Sequence, residues 1–169
     1  MAKVVIFGNS GSGKSTLALR MSTDAGLSHL DLDTLAWQAT KPPQRKPLQE
    51  SELEIIAFAQ SHEDWVIEGC YADLIALAMP FASQLMFLDL SVEDCIAHAY
   101  ARPFEPHKYA SKKAQDANLN MLVDWIKDYP ERDDVCSRAA HSALYEVFAG
   151  KKARITTPTD PLLQAAVDN

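Results

Sequence analysis

Cysteine is scarce and scattered in this 169-residue chain. Cys70, Cys95 and Cys136 form no C-x-x-C pair, which argues against a zinc site and for free thiols in a reducing cytosol. Basic charge is short too: the formal net charge is -7, which argues against a broad nucleic-acid-binding face, because duplex affinity rests on neutralising phosphates with Lys and Arg. Long hydrophobic runs are missing. The most apolar stretch, 74–88, is interrupted by Pro80, Ser83 and Gln84 and is too short to span a bilayer. At the N-terminus Lys3 precedes only four apolar residues before Gly8, so nothing there resembles a signal peptide, and a cytoplasmic location is expected. The five histidines form no H-E-x-x-H pattern, and no internal repeat or low-complexity tract is visible. What remains is one soluble domain with an ordinary 47% hydrophobic content.

Glycine is also sparse, yet three of the six glycines stand at 8, 11 and 13. Residues 8–15 read Gly-Asn-Ser-Gly-Ser-Gly-Lys-Ser, which satisfies G-x-x-x-x-G-K-[ST]. The run Val4-Val5-Ile6-Phe7 before it reads as a buried strand, and Leu17 and Met21 after it have helical spacing. Strand, glycine loop and helix together predict a phosphate cradle. The backbone of Gly8, Ser10, Gly11, Ser12 and Gly13 would surround phosphate oxygens, and the new helix adds its positive end. Lys14 would reach the β- and γ-phosphates of ATP, Ser15 would ligate Mg²⁺, and Thr16 is placed for the α-phosphate or is an ordinary first-turn residue.

The rest of the chain alternates strand and helix, predicting a parallel sheet covered on both faces. Strands are expected at 3–7, 28–31, 65–68, 84–89 and 152–156. Helices are expected at 14–25 with Gly26 after it, at 52–61 from the capping-box sequence Ser51-Glu52-Leu53-Glu54, from Ser91 to near Arg102, at 111–128, at 132–149, and in a short piece after Asp160-Pro161. Two proline-rich, cation-bearing stretches, 40–47 and 103–113, leave the ligand-binding side of the sheet as lid or clamp segments, or as plain linkers.

Carboxylates stand at two strand exits. Asp31 and Asp33, two apart, face the same side; one would hold Mg²⁺ and the other, with Asp33 favoured, would bind or deprotonate an acceptor hydroxyl, unless it only caps the next helix. Glu68, after Trp65-Val66-Ile67, suits a metal or water ligand. Trp37 and Tyr71 line an acceptor pocket or simply pack. Arg45, in the densest basic cluster of the N-terminal half, would bind an anionic group of the acceptor. Arg132 or Arg138 would act as an arginine finger in cis.

These motifs resemble the adenylate kinase and shikimate kinase superfamily of small P-loop kinases. The chain is most similar to the bacterial adenylate-kinase-like proteins known as DNA topology modulation proteins, through His29-Leu30-Asp31 with Trp37, Trp65-Val66-Ile67-Glu68-Gly69-Cys70-Tyr71, and Trp125-Ile126-Lys127-Asp128-Tyr129-Pro130. It departs from them in having Glu68 for the commoner Asp and Cys70 for Asn, and no Pro-Arg pair follows Gly69. The resemblance implies a three-layer αβα fold with a five-stranded parallel sheet ordered 2-3-1-4-5, an acceptor-binding segment at 33–60, Gly69 as a further acceptor-binding residue, a lid at 102–135, and adenine near Arg102 and residues 156–160. It implies an ATP- and Mg²⁺-dependent phosphotransferase acting on a small acceptor; a monomer or weak dimer is expected, and the acidic composition and absent long apolar run argue against nucleic-acid and membrane partners. The rival readings are an acceptor-free ATPase switch and a nucleic-acid-associated ATPase.

Overall fold

The computed structural model describes residues 1–164. In chain order the elements are β1 (Lys3–Gly8), α1 (Lys14–Ala25), β2 (Ser28–Asp31), α2 (Asp33–Ala36), β3 (Trp37–Gln38), β4 (Gln44–Arg45), α3 (Leu48–Ser61), β5 (Trp65–Gly69), α4 (Ala72–Ala78), β6 (Gln84–Leu88), α5 (Val92–Ala101), α6 (Lys112–Lys127), α7 (Arg138–Val147), β7 (Lys151–Ile155) and α8 (Pro161–Gln164). A parallel five-stranded sheet runs β2-β5-β1-β6-β7, which is 2-3-1-4-5 when only its own strands are counted. The small β3-β4 pair is antiparallel and separate.

The central strand is apolar from Val4 to Phe7 because both of its faces are covered there. Its side chains alternate between two cores. Val5 and Phe7 join Ile67, Phe87, Ile55, Leu74 and Ile75 under α3, α4 and α7. Val4 and Ile6 join Val66, Met86, Leu17, Cys95 and Ile126 under α1, α5 and α6. Phe7 stacks on Phe87 across the first pair of neighbours, with ring centroids 5.1 Å apart. Among the described residues no helix is long and apolar enough to cross a membrane.

Two helix starts need correction. The helix predicted from 52 starts at Leu48, and Ser51 is not its cap. Ser51 lies buried inside α3 and donates to the Leu35 carbonyl at 3.1 Å, because the earlier turn packs against α2. The helix predicted over 132–149 starts at Arg138, where Ser137 accepts from the Ala140 N–H, so 132–137 stay irregular. The apolar stretch 74–88 divides into α4 and β6 at a 3₁₀ turn, Met79–Phe81, that holds Pro80. The caps predicted at Ser91 and Gly26 are present, with Gly26 left-handed at φ 73 and its N–H returning to Ser22. The 40–47 stretch supplies β4 and ties back to α2 through the Lys46 N–H and the Ala36 carbonyl. α6, inside the predicted lid, buries Val123 and Ile126 on the second core.

Candidate active site

β1 ends at the phosphate loop, and α1 starts from Gly13. Two glycines here have separate reasons. A Cβ on Gly11 would stand 2.3 Å from the Cys95 carbonyl oxygen, so α5 closes against the loop. Gly13 has open space around it, but its φ of 93 is left-handed. That opening fits the expected cradle, and among the described residues the Ser12 hydroxyl and Asn9 Oδ1 are buried in the same loop without partners. Lys14 Nζ donates to the Asn9 carbonyl at 2.7 Å, and the Asn9 side-chain amide donates to the Ile126 carbonyl at 3.2 Å, joining the loop to α6. These residues fit a bound nucleotide phosphate.

Glu68 comes to the loop from the end of β5, the strand beside β1. Its Oε1 accepts from the Ser15 hydroxyl at 2.8 Å and from His29 Nε2 at 3.4 Å. Burial pushes this carboxyl up, but the His29 bond, the Lys14 charge and the Ser15 bond outweigh that and hold it below the ordinary glutamate value. Asp31, opposite Glu68 in the sheet, is displaced the other way: burial raises it, and the Glu68 and Asp33 charges add to the rise. The Ser15 hydroxyl with the Glu68 carboxylate is a hard oxygen set suited to Mg²⁺, which in such loops also takes phosphate oxygens and water. Among the described residues no group of three or more His, Cys, Asp or Glu is arranged to hold an ion by itself.

Asp33, Trp37, Tyr71 and Arg45 meet beside this pair. The Trp37 indole N–H donates to the Tyr71 hydroxyl at 2.9 Å, which donates to Asp33 Oδ1 at 2.5 Å. The second Asp33 oxygen lies 4.0 Å from Lys108 Nζ and is half-exposed. Arg45 sits 4.9 Å over the Tyr71 ring and gives one nitrogen to both oxygens of Asp73, at 3.2 and 3.0 Å. Gly69 brings β5 against α2: a Cβ there would stand 2.9 Å from Leu32 Cβ.

The two arginines differ. Arg132 stacks 3.6 Å from the Trp125 ring and donates to the Trp125 and Cys136 carbonyls, so its guanidinium fastens the irregular segment to α6. Arg138 reaches the end of β6, where Nε and a terminal nitrogen each donate to one oxygen of Asp89 at 2.9 Å. Arg154 holds the same carboxylate at 2.9 and 2.6 Å. Burial would raise Asp89, but the two arginines hold it well below the ordinary aspartate value. One buried carboxylate thus carries two cations beside the strand that leads into the phosphate loop.

On the other side of the loop a cavity of about 350 Å³ opens between Gly11, Thr16, Arg20, His98, Arg102 and Pro158. It holds both Arg102 and part of the 156–160 loop. His98, given no role by sequence reasoning, donates from Nδ1 to the Gly11 carbonyl at 2.7 Å and braces the loop from α5. His141 was missed as well. It is fully buried, donates from Nε2 to the Cys70 carbonyl at 2.7 Å, and takes the Tyr129 hydroxyl on Nδ1 at 2.7 Å. Burial lowers its pKa to about 4, so it is neutral and this tautomer follows. Neither histidine lies in a local motif; only contacts distant in sequence reveal them.

No protein-family model matches the chain, and no curated protein matches it in sequence. Solved structures do. A shikimate kinase from Acinetobacter baumannii in complex with shikimate superposes with a TM-score of 0.53 at 15% identity, covering 99% of this chain and 90% of that one. A shikimate kinase from Bacteroides thetaiotaomicron gives 0.52 at 13%, covering 99% and 94%. An unliganded sugar kinase from Janibacter sp. HTCC2649 gives 0.51 at 15%, covering 99% and 93%. Identities this low speak to architecture, and on that ground the chain has the three-layer αβα fold of the small P-loop kinases, with its phosphate loop at the end of the central strand.

Proposed function

We propose that this protein is an ATP- and Mg²⁺-dependent phosphotransferase that moves the γ-phosphoryl group to a hydroxyl of a small anionic acceptor. One observation carries the reading. The phosphate loop stands between two differently built sites, the cavity at Thr16 and Arg102 on one side and the Asp33-Tyr71-Trp37 cluster on the other. A nucleotide in the cavity, with its phosphates in the loop, would point its terminal phosphate toward the cluster, as ligands lie at the carboxyl ends of open α/β sheets.

The residues divide the work. The loop backbone from Gly8 to Gly13, with Ser10 and Ser12, and Lys14 stabilise charge on the phosphates. Ser15 and Glu68, with Asp31 behind, would hold Mg²⁺, which when bound neutralises phosphate charge. Asp33 has one oxygen tied by Tyr71 and the other half-exposed beside Lys108, and that second oxygen takes the acceptor's hydroxyl proton. Arg138 is the arginine for the transferring group, because Arg154 keeps Asp89 paired when Arg138 leaves. Arg132 acts by positioning the segment before α7. Residues 33–60 serve the acceptor, with Trp37, Tyr71, Gly69 and Arg45, and of 102–135 the stretch before α6 closes over the nucleotide, since Val123 and Ile126 hold α6 on the core. Within the small P-loop kinases, the three Trp-containing segments favour the adenylate-kinase-like DNA topology modulation proteins.

A second reading, an acceptor-free ATPase, draws on Arg45, which is already held by Asp73. A thermal-shift screen of nucleotides and hydroxylated metabolites with an ATP analogue and Mg²⁺, followed by ADP release with each hit, separates the two. Acceptor-dependent ADP release supports the kinase. ADP release indifferent to every acceptor supports the ATPase, and no stabilisation by ATP and Mg²⁺ sinks both.

A further inference from the structure

We propose that Cys70 and Cys136 form a dithiol that hydrogen peroxide converts into a reversible disulfide, fastening the segment before α7 to the exit of β5. The two sulfurs stand 3.7 Å apart although 66 positions separate them in the chain. Their backbones are held on several sides. The Ala72 N–H donates to the Val135 carbonyl at 2.8 Å, His141 holds the Cys70 carbonyl, and Arg132 holds the Cys136 carbonyl at 3.1 Å. A disulfide needs about 2.05 Å between sulfurs, so rotation of the side chains with a small backbone adjustment closes the gap. The third thiol, Cys95, is fully buried in the other core and has no sulfur partner among the described residues.

The two thiols have different exposure, and this sets the order of the chemistry. Cys70 is partly buried against the first core and Cys136 is buried, so the first attack is placed at Cys70. The Cys70 sulfur attacks one peroxide oxygen, the O–O bond breaks, and the departing oxygen leaves as water with the thiol proton, giving a sulfenic acid. The Cys136 sulfur then displaces that hydroxyl, which leaves as a second water, and the S–S bond forms. Two thiols lose two electrons and one peroxide gains them.

The bond joins the two ends of the proposed machinery. Cys70 follows Glu68 and Gly69 and precedes Tyr71, and Cys136 lies two residues before Arg138. Drawing the sulfurs together displaces one or both segments, and misplacement by about 1 Å costs on the order of a hundredfold in transfer. That consequence rests on the proposed phosphotransferase; the bond itself does not.

The full chain is treated with hydrogen peroxide, and thiols are counted after denaturation. The count is expected to fall from the three cysteines to one, with a Cys70–Cys136 linked peptide in the digest and recovery of all three in dithiothreitol. Cys136→Ser and Cys70→Ser should each abolish the linked peptide. Three thiols remaining, over-oxidised Cys70 without a link, or a link between two chains overturns the proposal. Transfer should fall on the order of tenfold or more in the oxidised protein and return with dithiothreitol. Unchanged transfer in linked protein removes the regulatory half. A reduced protein with no transfer to any acceptor is a failure of the functional reading, and the thiol count still decides the bond.

Discussion

Tyr71 donates its hydroxyl to Asp33 Oδ1 at 2.5 Å, and this bond aims the carboxylate. With Oδ1 tied and the Trp37 indole backing the hydroxyl, Oδ2 is the oxygen presented to an acceptor. Tyr71→Phe removes both bonds and keeps the packed ring. The expected result is a loss of about 1–3 kcal/mol in kcat/KM for the acceptor, with ATP affinity within a few-fold. Asp33→Asn should likewise spare ATP binding while cutting transfer further. Steady-state kinetics for both substrates checks it, and equal losses for ATP and acceptor would refute the division.

Lys14 and Glu68 separate the phosphate and metal roles. Lys14→Ala should abolish transfer and lower the melting temperature only slightly, since among the described residues the ammonium donates to the Asn9 carbonyl and adds a charge beside Glu68, which keeps its Ser15 and His29 bonds. Glu68→Gln should raise the Mg²⁺ concentration needed for half-maximal rate whatever the acceptor. Mg²⁺ titrations of each variant read this directly.

Arg138 and Asp89 should respond differently to removal. Arg138→Ala leaves Asp89 paired with Arg154, so stability should change little while transfer falls by on the order of 10³. Asp89→Ala leaves two guanidinium groups without their acceptor and should cost about 2 kcal/mol, or roughly 4–8 °C in melting temperature. Melting curves set beside single-turnover rates test the contrast.

Arg45 offers a test of acceptor charge. Arg45→Lys loses the planar stack on Tyr71 and the contact with Asp73. It should raise acceptor KM by the equivalent of about 1–3 kcal/mol, with ATP affinity within a few-fold. A preferred acceptor with no anionic group would contradict the assignment.

His141 sets a pH limit on stability. Its folded pKa of about 4 lies below the ordinary 6.5, so the unfolded chain takes up the proton first. The stability it contributes is complete above pH 6.5 and is lost as pH falls toward 4, by about 3 kcal/mol. Glu68 and Asp89, also lowered, lose their contributions in the same direction at lower pH. Urea unfolding from pH 7 to 4 should show this slope in the natural chain and a much flatter one in His141→Gln.

The phosphate loop, the β1-to-α1 transition and the five sheet strands were legible in the sequence because each depends on neighbours along the chain. The apolar runs of β1, β5 and β6 mark buried strands, β2 (Ser28–Asp31) and β7 (Lys151–Ile155) are the less apolar edge strands beside them, and a cradle needs glycines at fixed spacing. The same local logic failed at Ser51, where a capping pattern lost to a buried bond with Leu35, and over 132–137, where the cap that works is Ser137. It placed Asp31 and Glu68 at strand tips but put Asp33 on the same strand face as Asp31, whereas Asp33 opens α2 and donates its N–H to Asp31 Oδ1, and it left their roles open. Tertiary structure decided which residues meet: Trp37 with Tyr71 across 34 positions, Arg138 with Asp89 across 49, Cys70 with Cys136 across 66, and His98 with Gly11 across 87. A side chain's direction is set by the packing of whole elements, and two cores built on alternate faces of one sheet bring together residues that no short stretch of sequence holds side by side.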